Sequence, residues 1–142
     1  MKRAVTVFSM FLIFILCSQL HAQKIPVSDT LYNKIISETV LPYLSALKEG
    51  DVSAIKQYIA SEMYEKNKGL LEQNKEYPRF LKNYYKGVEF SFENAEEIDG
   101  VVIVNMIITY PNGFRSSNKL RMHKERDANE HEVWKVGEFV DN

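Results

Sequence analysis

The side chains able to do metal or acid–base chemistry are few and scattered. His123 and His131, with Glu125, would share one face of a terminal hairpin. They are ligand types that zinc accepts, but two imidazoles without a third well-placed strong ligand make a poor site. The expectation is therefore ordinary surface histidines, with no metal and no cofactor. Nucleophilic chemistry has no obvious carrier either. Cys17 is the only cysteine and falls in a leader segment; no glycine-rich phosphate loop is present, and no serine sits in a nucleophile-elbow pattern. Glu96 and Glu138, near the ends of predicted strands, are the remaining candidates for a general base, and Tyr58, Tyr64, Tyr84 and Tyr85 could supply a polar lining. Aromatic residues at helical spacing usually belong to a core.

The start of the chain decides the setting in which such chemistry would operate. Lys2 and Arg3 precede an apolar run from Phe8 to Cys17 and a short polar stretch ending at Ala22, the three-part pattern of a secretory signal. The run is well short of the roughly 20 residues a membrane-spanning helix needs, so a periplasmic or secreted protein starting at Gln23 is expected. Leu16 precedes Cys17 where a lipid-anchor signal would carry a small residue. Cleavage after Ala22 leaves 120 of the 142 residues, enough for one hydrophobic core, so residues 23–142 are read as a single domain. No disulfide is possible once Cys17 is gone. With Lys2 and Arg3 removed, 16 of the 18 basic side chains face 19 acidic ones, a net charge of −3 that argues against a nucleic-acid partner.

Helices come first. Asp29 can cap a helix whose apolar positions Tyr32, Ile36, Val40, Tyr43, Leu44 and Leu47 share one face, with Pro42 kinking or restarting it. Gly50 offers a left-handed stop, and Asp51 caps a second helix carrying Ile55, Tyr58 and Ile59. Lysines and tyrosines alternate from Ser61 to Lys86 but are interleaved with glutamates, as on a solvated helix face. The last part of that stretch reads as a helix with Pro78 in its first turn, Gly87 after its end, and Phe80, Leu81, Tyr84 and Tyr85 on its apolar side.

From Val88 the period changes to two. Four strands are predicted, roughly residues 88–96, 101–110, 114–124 and 132–140, joined at Asp99-Gly100, Pro111-Asn112-Gly113 and Asp127-Ala128-Asn129. The fold class is α+β, with N-terminal helices packed on one face of a curved four-stranded antiparallel meander. The segments Leu44-Ser-Ala-Leu-Lys-Glu-Gly-Asp51 and Ala54-Ile-Lys-Gln-Tyr-Ile59, and the closing Glu132-Val-Trp-Lys-Val-Gly-Glu-Phe139, resemble the opening helix pair and last strand of small exported domains in the nuclear transport factor 2-like superfamily. That resemblance implies a cystatin-like cone, often dimeric, in a group holding binding modules, isomerases and dehydratases. It carries over no catalytic residue.

The turns also fix registers. A two-residue Asp99-Gly100 turn places Asn94 opposite Asn105 and Phe92 opposite Ile107; the Asn112-Gly113 turn places Asn105 opposite Leu120 and Ile103 opposite Met122; Met122 then meets Trp134. Phe90, Phe92, Ile103, Ile107, Leu120, Met122, Trp134 and Val136 would face the helices. Val102, Val104, Met106, Ile108 and Tyr110 would then point outward, with Val133 and Phe139 nearby, although an exposed antiparallel face normally alternates with polar residues. A homodimer through Val104, Met106, Ile108, Val133 and Phe139 is expected to cover them. Asn94 and Asn105 would lie on the helix side, either as a closed pair pinning the register or, with Tyr58, Tyr84 and Glu96, as the polar part of a ligand cavity. The first functional expectation is a non-enzymatic domain binding a small apolar ligand or an envelope protein. The second is an isomerase or lyase with Glu96 or Glu138 as base, a reading that needs one of them buried in a pocket.

Overall fold

The structure, a computed structural model, describes residues 23–141; the expected signal segment 1–22 lies outside the described residues. A short strand β1 (Ile25–Pro26) leads into α1 (Asp29–Ile35), a π turn (Ile36–Val40) and α2 (Leu41–Glu49). These three run on without a break. Pro42 has no N–H, and its ring crowds the preceding helical turn. The wider π turn upstream, closed by the Leu41 N–H donating to the Ile36 carbonyl, absorbs the misfit, so the helix is neither broken nor restarted. Ser28, rather than Asp29, accepts from the helix N-terminus. Gly50 turns left-handed at φ +67°, and Asp51 caps α3 (Val52–Tyr58) by accepting the Ala54 N–H at 2.9 Å.

Two further helices follow, α4 (Ser61–Lys68), extended by a π turn at Gly69–Gln73, and α5 (Tyr77–Tyr84) with Pro78 in its first turn. The remaining chain forms β2 (Glu89–Ile98), β3 (Val101–Thr109), β4 (Arg115–Arg126) and β5 (Glu132–Asp141). With β1 they make an antiparallel five-stranded sheet in the order β1-β2-β3-β4-β5. The α+β arrangement is as expected; β1 is an additional strand. Its Pro26 lies on an edge, where a missing donor costs no ladder bond. At the other edge Ile59 bridges to Val136, and the Ala60 N–H donates to the Val136 carbonyl at 2.8 Å, which shields β5 from pairing with another chain. Glu125 then accepts both the backbone N–H and the hydroxyl of Ser61, so a β4 carboxylate caps α4.

Two irregularities set which way β3 faces. Glu93 is an unpaired bulge: Asn94 pairs with Asn105 as expected, but Phe92 pairs with Met106 instead of Ile107. The β3–β4 connection closes at Tyr110 and Phe114 around a three-residue loop with Gly113 at φ +83°, so Asn105 pairs with Lys119 and Ile103 with Arg121. Each shifts β3 by one residue against a neighbour, and a one-residue slip reverses every side chain. The expected face of β3 is thereby corrected. Val102, Val104, Met106 and Ile108 point toward the helices and are buried, while Ile103, Asn105 and Ile107 are on the outer face and part-exposed. In the last hairpin Met122 pairs with Val136 and Lys124 with Trp134, an even shift that keeps their faces, but a bulge at Gly137 pairs Arg121 with Glu138 and Leu120 with Phe139, so Phe139 turns to the helix side instead of outward.

Ala95, Leu120, Met122 and Val136 complete the buried sheet face, and Ile35, Val40, Tyr43, Leu44, Leu47, Ile55 and Leu81 meet it from the helices. Each fully buried aliphatic here stabilises the fold by about 1.5–3 kcal/mol relative to exposure. Burial also pushes the Tyr43 hydroxyl well above its ordinary pKa. The polar exceptions are Thr39, whose hydroxyl donates to the Trp134 carbonyl at 3.1 Å, and Asn118, whose amide donates to Ser116 while its Oδ1 lacks a partner among the described residues.

Candidate functional site

The residues expected to share a ligand site are dispersed over three surfaces. Asn94 and Asn105 form a direct bond, Nδ2 of Asn105 donating to Oδ1 of Asn94 at 2.7 Å, but on the outer face. The pairing is as expected; its burial is not, so the pair cannot floor a cavity beneath the helices. Glu96 is on the same outer face, 3.4 Å from Lys24, and Glu138 is 3.4 Å from Arg121. Glu96 is part-exposed and Glu138 exposed, and neither lines an enclosed pocket among the described residues. Val104, Met106 and Ile108 are covered within one chain, and Phe139 packs against the same core, so they cannot form an outer interface. Val133 lines a separate cleft with Tyr58.

That cleft, about 450 Å³, opens between α1, α3 and the β4–β5 turn and holds several titratable groups, including Lys34, Glu38, Asp127 and His131. Their arrangement is that of a turn. Asp127 Oδ1 accepts the backbone N–H groups of Asn129 and His131 at 2.8 and 2.9 Å, while the His131 ring stands 3.7 Å from Oδ2. The backbone bond from His131 above all holds the Asp127 carboxyl below its ordinary pKa, against a smaller opposing effect of burial. A general base works best with a pKa raised toward the working pH, and here it is lowered. The other histidine, His123, packs over Gly137, where a Cβ would stand 2.7 Å from the ring. Among the described residues no group of three His, Cys, Asp or Glu side chains is placed to hold a metal ion.

At the opposite end of β4 lies a cleft of different character, about 510 Å³, walled by Tyr77, Phe80 and Tyr84 of α5 on one side and by Tyr110, Ser116 and Phe139 of the sheet on the other. Its origin is visible in α5. Tyr77, Phe80, Leu81 and Tyr84 repeat at the spacing of a single helical stripe. Only Leu81 is fully buried; Phe80 and Tyr84 remain 56% and 49% exposed. The stripe is wider than the core can absorb. The Tyr77, Phe80 and Tyr84 rings stack in sequence at 6.3 and 5.7 Å, and Tyr84 meets Tyr110 edge-on at 6.4 Å. Tyr110 in turn packs at 5.8 Å on Phe114, which is 62% exposed at the tip of the β3–β4 loop. Among the described residues no carboxylate or imidazole lines this cleft. Burial raises the Tyr77 hydroxyl above its ordinary pKa, so it is a neutral donor at physiological pH.

No family model matches the chain, and no curated protein or solved structure matches it. The aromatic cleft therefore rests on its own chemistry: apolar ring faces and edges, several hydroxyls, and no group suited to move a proton at neutral pH. Of the residues expected around a ligand, Tyr84 and Tyr85 line it, while Asn94, Asn105, Glu96 and Tyr58 do not. Phe80 was missed because aromatic residues at helical spacing read as core, and Tyr110 and Phe139 because they were assigned to the outer sheet face; the available signal was a four-member apolar stripe on a helix only two turns long. Among the described residues no helix is long and apolar enough to cross a membrane.

Proposed function

We propose that the protein is a non-enzymatic binding domain, exported to the periplasm or beyond, that holds a small, largely apolar, ring-bearing ligand in the cleft between α5 and the β3–β4 end of the sheet. The observation that carries this reading is the exposure of Phe80 and Tyr84 in the wall of the cleft, with exposed Phe114 packed against Tyr110 beside it. Leaving three large aromatic side chains in water forgoes burial worth about 1.5–3 kcal/mol each, and clustered apolar exposure marks binding surfaces. Hydroxyls of Tyr84, Tyr110 and Ser116 would orient the ligand, as a few polar groups do in mostly apolar sites. Export is supported by the charge and hydropathy pattern of residues 1–22. Membership of the nuclear transport factor 2-like group is supported by the order of the chain, helices first and antiparallel sheet second. The isomerase or lyase reading has less behind it, because Glu96, part-exposed, and Glu138, exposed, are ion-paired on the outer face and line no described cleft.

The test is native mass spectrometry of protein purified from its own cell envelope. A retained small molecule that is lost from a Phe80→Ala/Tyr110→Ala variant supports the proposal. A molecule retained equally by that variant, or a wild-type protein that never carries one, contradicts it.

A further inference from the structure

Two neighbouring residues of β4 fix the hydrogen-bonding polarity of the cleft between α5 and the sheet. Ser116 and Asn118 pair with Ile108 and Met106 of β3 and share the helix-facing side of their strand. Ser116 lines the cleft, and Asn118 is fully buried beside it, 1% exposed. The Asn118 amide Nδ2 donates to the Ser116 carbonyl at 3.0 Å and to Ser116 Oγ at 3.1 Å, while its Oδ1 has no partner among the described residues. Turning the amide over would not cure this. Oδ1 would then face the Ser116 carbonyl oxygen, acceptor against acceptor, so chemistry sets the orientation. A buried oxygen left without a donor costs stability, and what that cost maintains is the state of Ser116. With Nδ2 on an Oγ lone pair, the serine hydroxyl proton points away from Asn118 and is left to donate. The tyrosines have no such fixed direction: the Tyr84 and Tyr110 hydroxyls stand 3.5 Å apart, and either can donate to the other.

We propose that the ligand of this cleft is a neutral cyclic carbonyl compound whose oxygen accepts a hydrogen bond from Ser116 Oγ, with Asn118 as the residue that positions that donor. The inference rests on the ligand reading above and narrows it. A charged acceptor such as a carboxylate or phosphate needs a cation when taken out of water, and among the described residues no lysine or arginine lines the cleft. A ligand offering only an N–H meets a serine that already accepts from Asn118. A ring carbonyl fits both demands. Its oxygen lies in the plane of the ring, so the ring faces pack on Phe80 and Tyr84 while the oxygen on the edge reaches the sheet. A site built to donate one hydrogen bond also discriminates against an analogue of the same shape that lacks the acceptor.

Two probes of nearly equal shape test it: 1-tetralone, which carries a ring carbonyl, and tetralin, which has a methylene in its place. Dissociation constants come from NMR titration of the folded protein. Phe80→Ala should weaken both probes alike, which locates them in the cleft. Ser116→Ala should weaken 1-tetralone by roughly three- to tenfold, the worth of one hydrogen bond, and leave tetralin within about twofold. The infrared carbonyl stretch of bound 1-tetralone should lie below its value in an apolar solvent and return toward it in Ser116→Ala. Asn118→Leu, or Asn118→Ala if the larger side chain disturbs the fold by circular dichroism, should reduce that infrared shift and the 1-tetralone affinity while sparing tetralin. Equal responses of the two probes to Ser116→Ala, or an unshifted stretch in the wild type, overturn the proposal and leave the cleft reading standing. An infrared shift unchanged in the Asn118 variants removes the positioning role. Probes that ignore Phe80→Ala, or that do not bind, overturn the proposal and the cleft reading together.

Discussion

The Cβ that Gly50 lacks would stand 2.2 Å from the carbonyl oxygen of Pro78. The C-terminus of α2 is therefore seated directly on the first turn of α5, the helix that carries one wall of the aromatic cleft. Gly50 also holds φ +67°, a left-handed conformation that costs other residues energy. Gly50→Ala should destabilise the fold by about 2–4 kcal/mol, combining backbone strain with overpacking against an immovable backbone atom. Gly69 provides the contrast. It has helical dihedrals and nothing within 4 Å of an added Cβ, so Gly69→Ala should stabilise by about 0.5–1 kcal/mol. Urea unfolding of the two variants checks both signs.

Inversion of β3 leads to an equally concrete pair of outcomes. Met106 is fully buried, so Met106→Asp should cost about 4 kcal/mol or more and unfold much of the population. Asn105 bonds Asn94 in an exposed position, so Asn105→Leu should change stability by less than about 1 kcal/mol. Thermal unfolding at low protein concentration separates the two cases. Comparable losses would mean that the outer face is not outer.

Much of the fold was legible in the residues, because local chemistry decided it. Asp51 caps its helix, Gly50 terminates the one before, Asp99-Gly100 makes its tight turn, and the four long strands fall close to their expected places. The face of β3 was not legible. Nothing in Phe92-Glu93-Asn94 distinguishes a bulge from a regular strand, and Pro111-Asn112-Gly113 suits a two-residue or a three-residue loop. The two departures act in the same sense on β3, so a scheme without either is self-consistent, yet it misplaces β3, the part of β2 beyond Glu93 and, through a separate bulge at Gly137, the end of β5. Its symptom was present: an apolar stripe of Val102, Val104, Met106 and Ile108 that alternation would not place in water. The aromatic cleft escaped for another reason. Whether Phe80 packs inward or stands at a rim depends on how α5 is seated against Gly50, a tertiary contact that no local pattern encodes.

The β4–β5 turn should respond to acid. The depressed Asp127 pKa means that folding favours the ionised carboxylate, so its contribution to the turn is full above the ordinary carboxylate value of 3.8 and is lost as pH falls through the lower folded-state value. Amide exchange at Asn129 and His131, whose N–H groups donate to Asp127, should accelerate below that window relative to amides elsewhere in the chain. In Asp127→Asn this acid-specific loosening should disappear. An unchanged acid response in the variant would assign it to another group.

The central claim is that the α5 cleft binds apolar rings, and its most direct measurement is an amide-resolved NMR titration of the folded protein with 1-anilinonaphthalene-8-sulfonate. Saturable shifts should concentrate at Phe80, Leu81, Tyr85, Ile108 and Ser116, and should weaken sharply in Phe80→Ala, a substitution at a 56% exposed position that leaves the core intact. Shifts centred instead on Tyr58 and Trp134, or on Ile103 and Ile107, or shifts unaffected by Phe80→Ala, would contradict it.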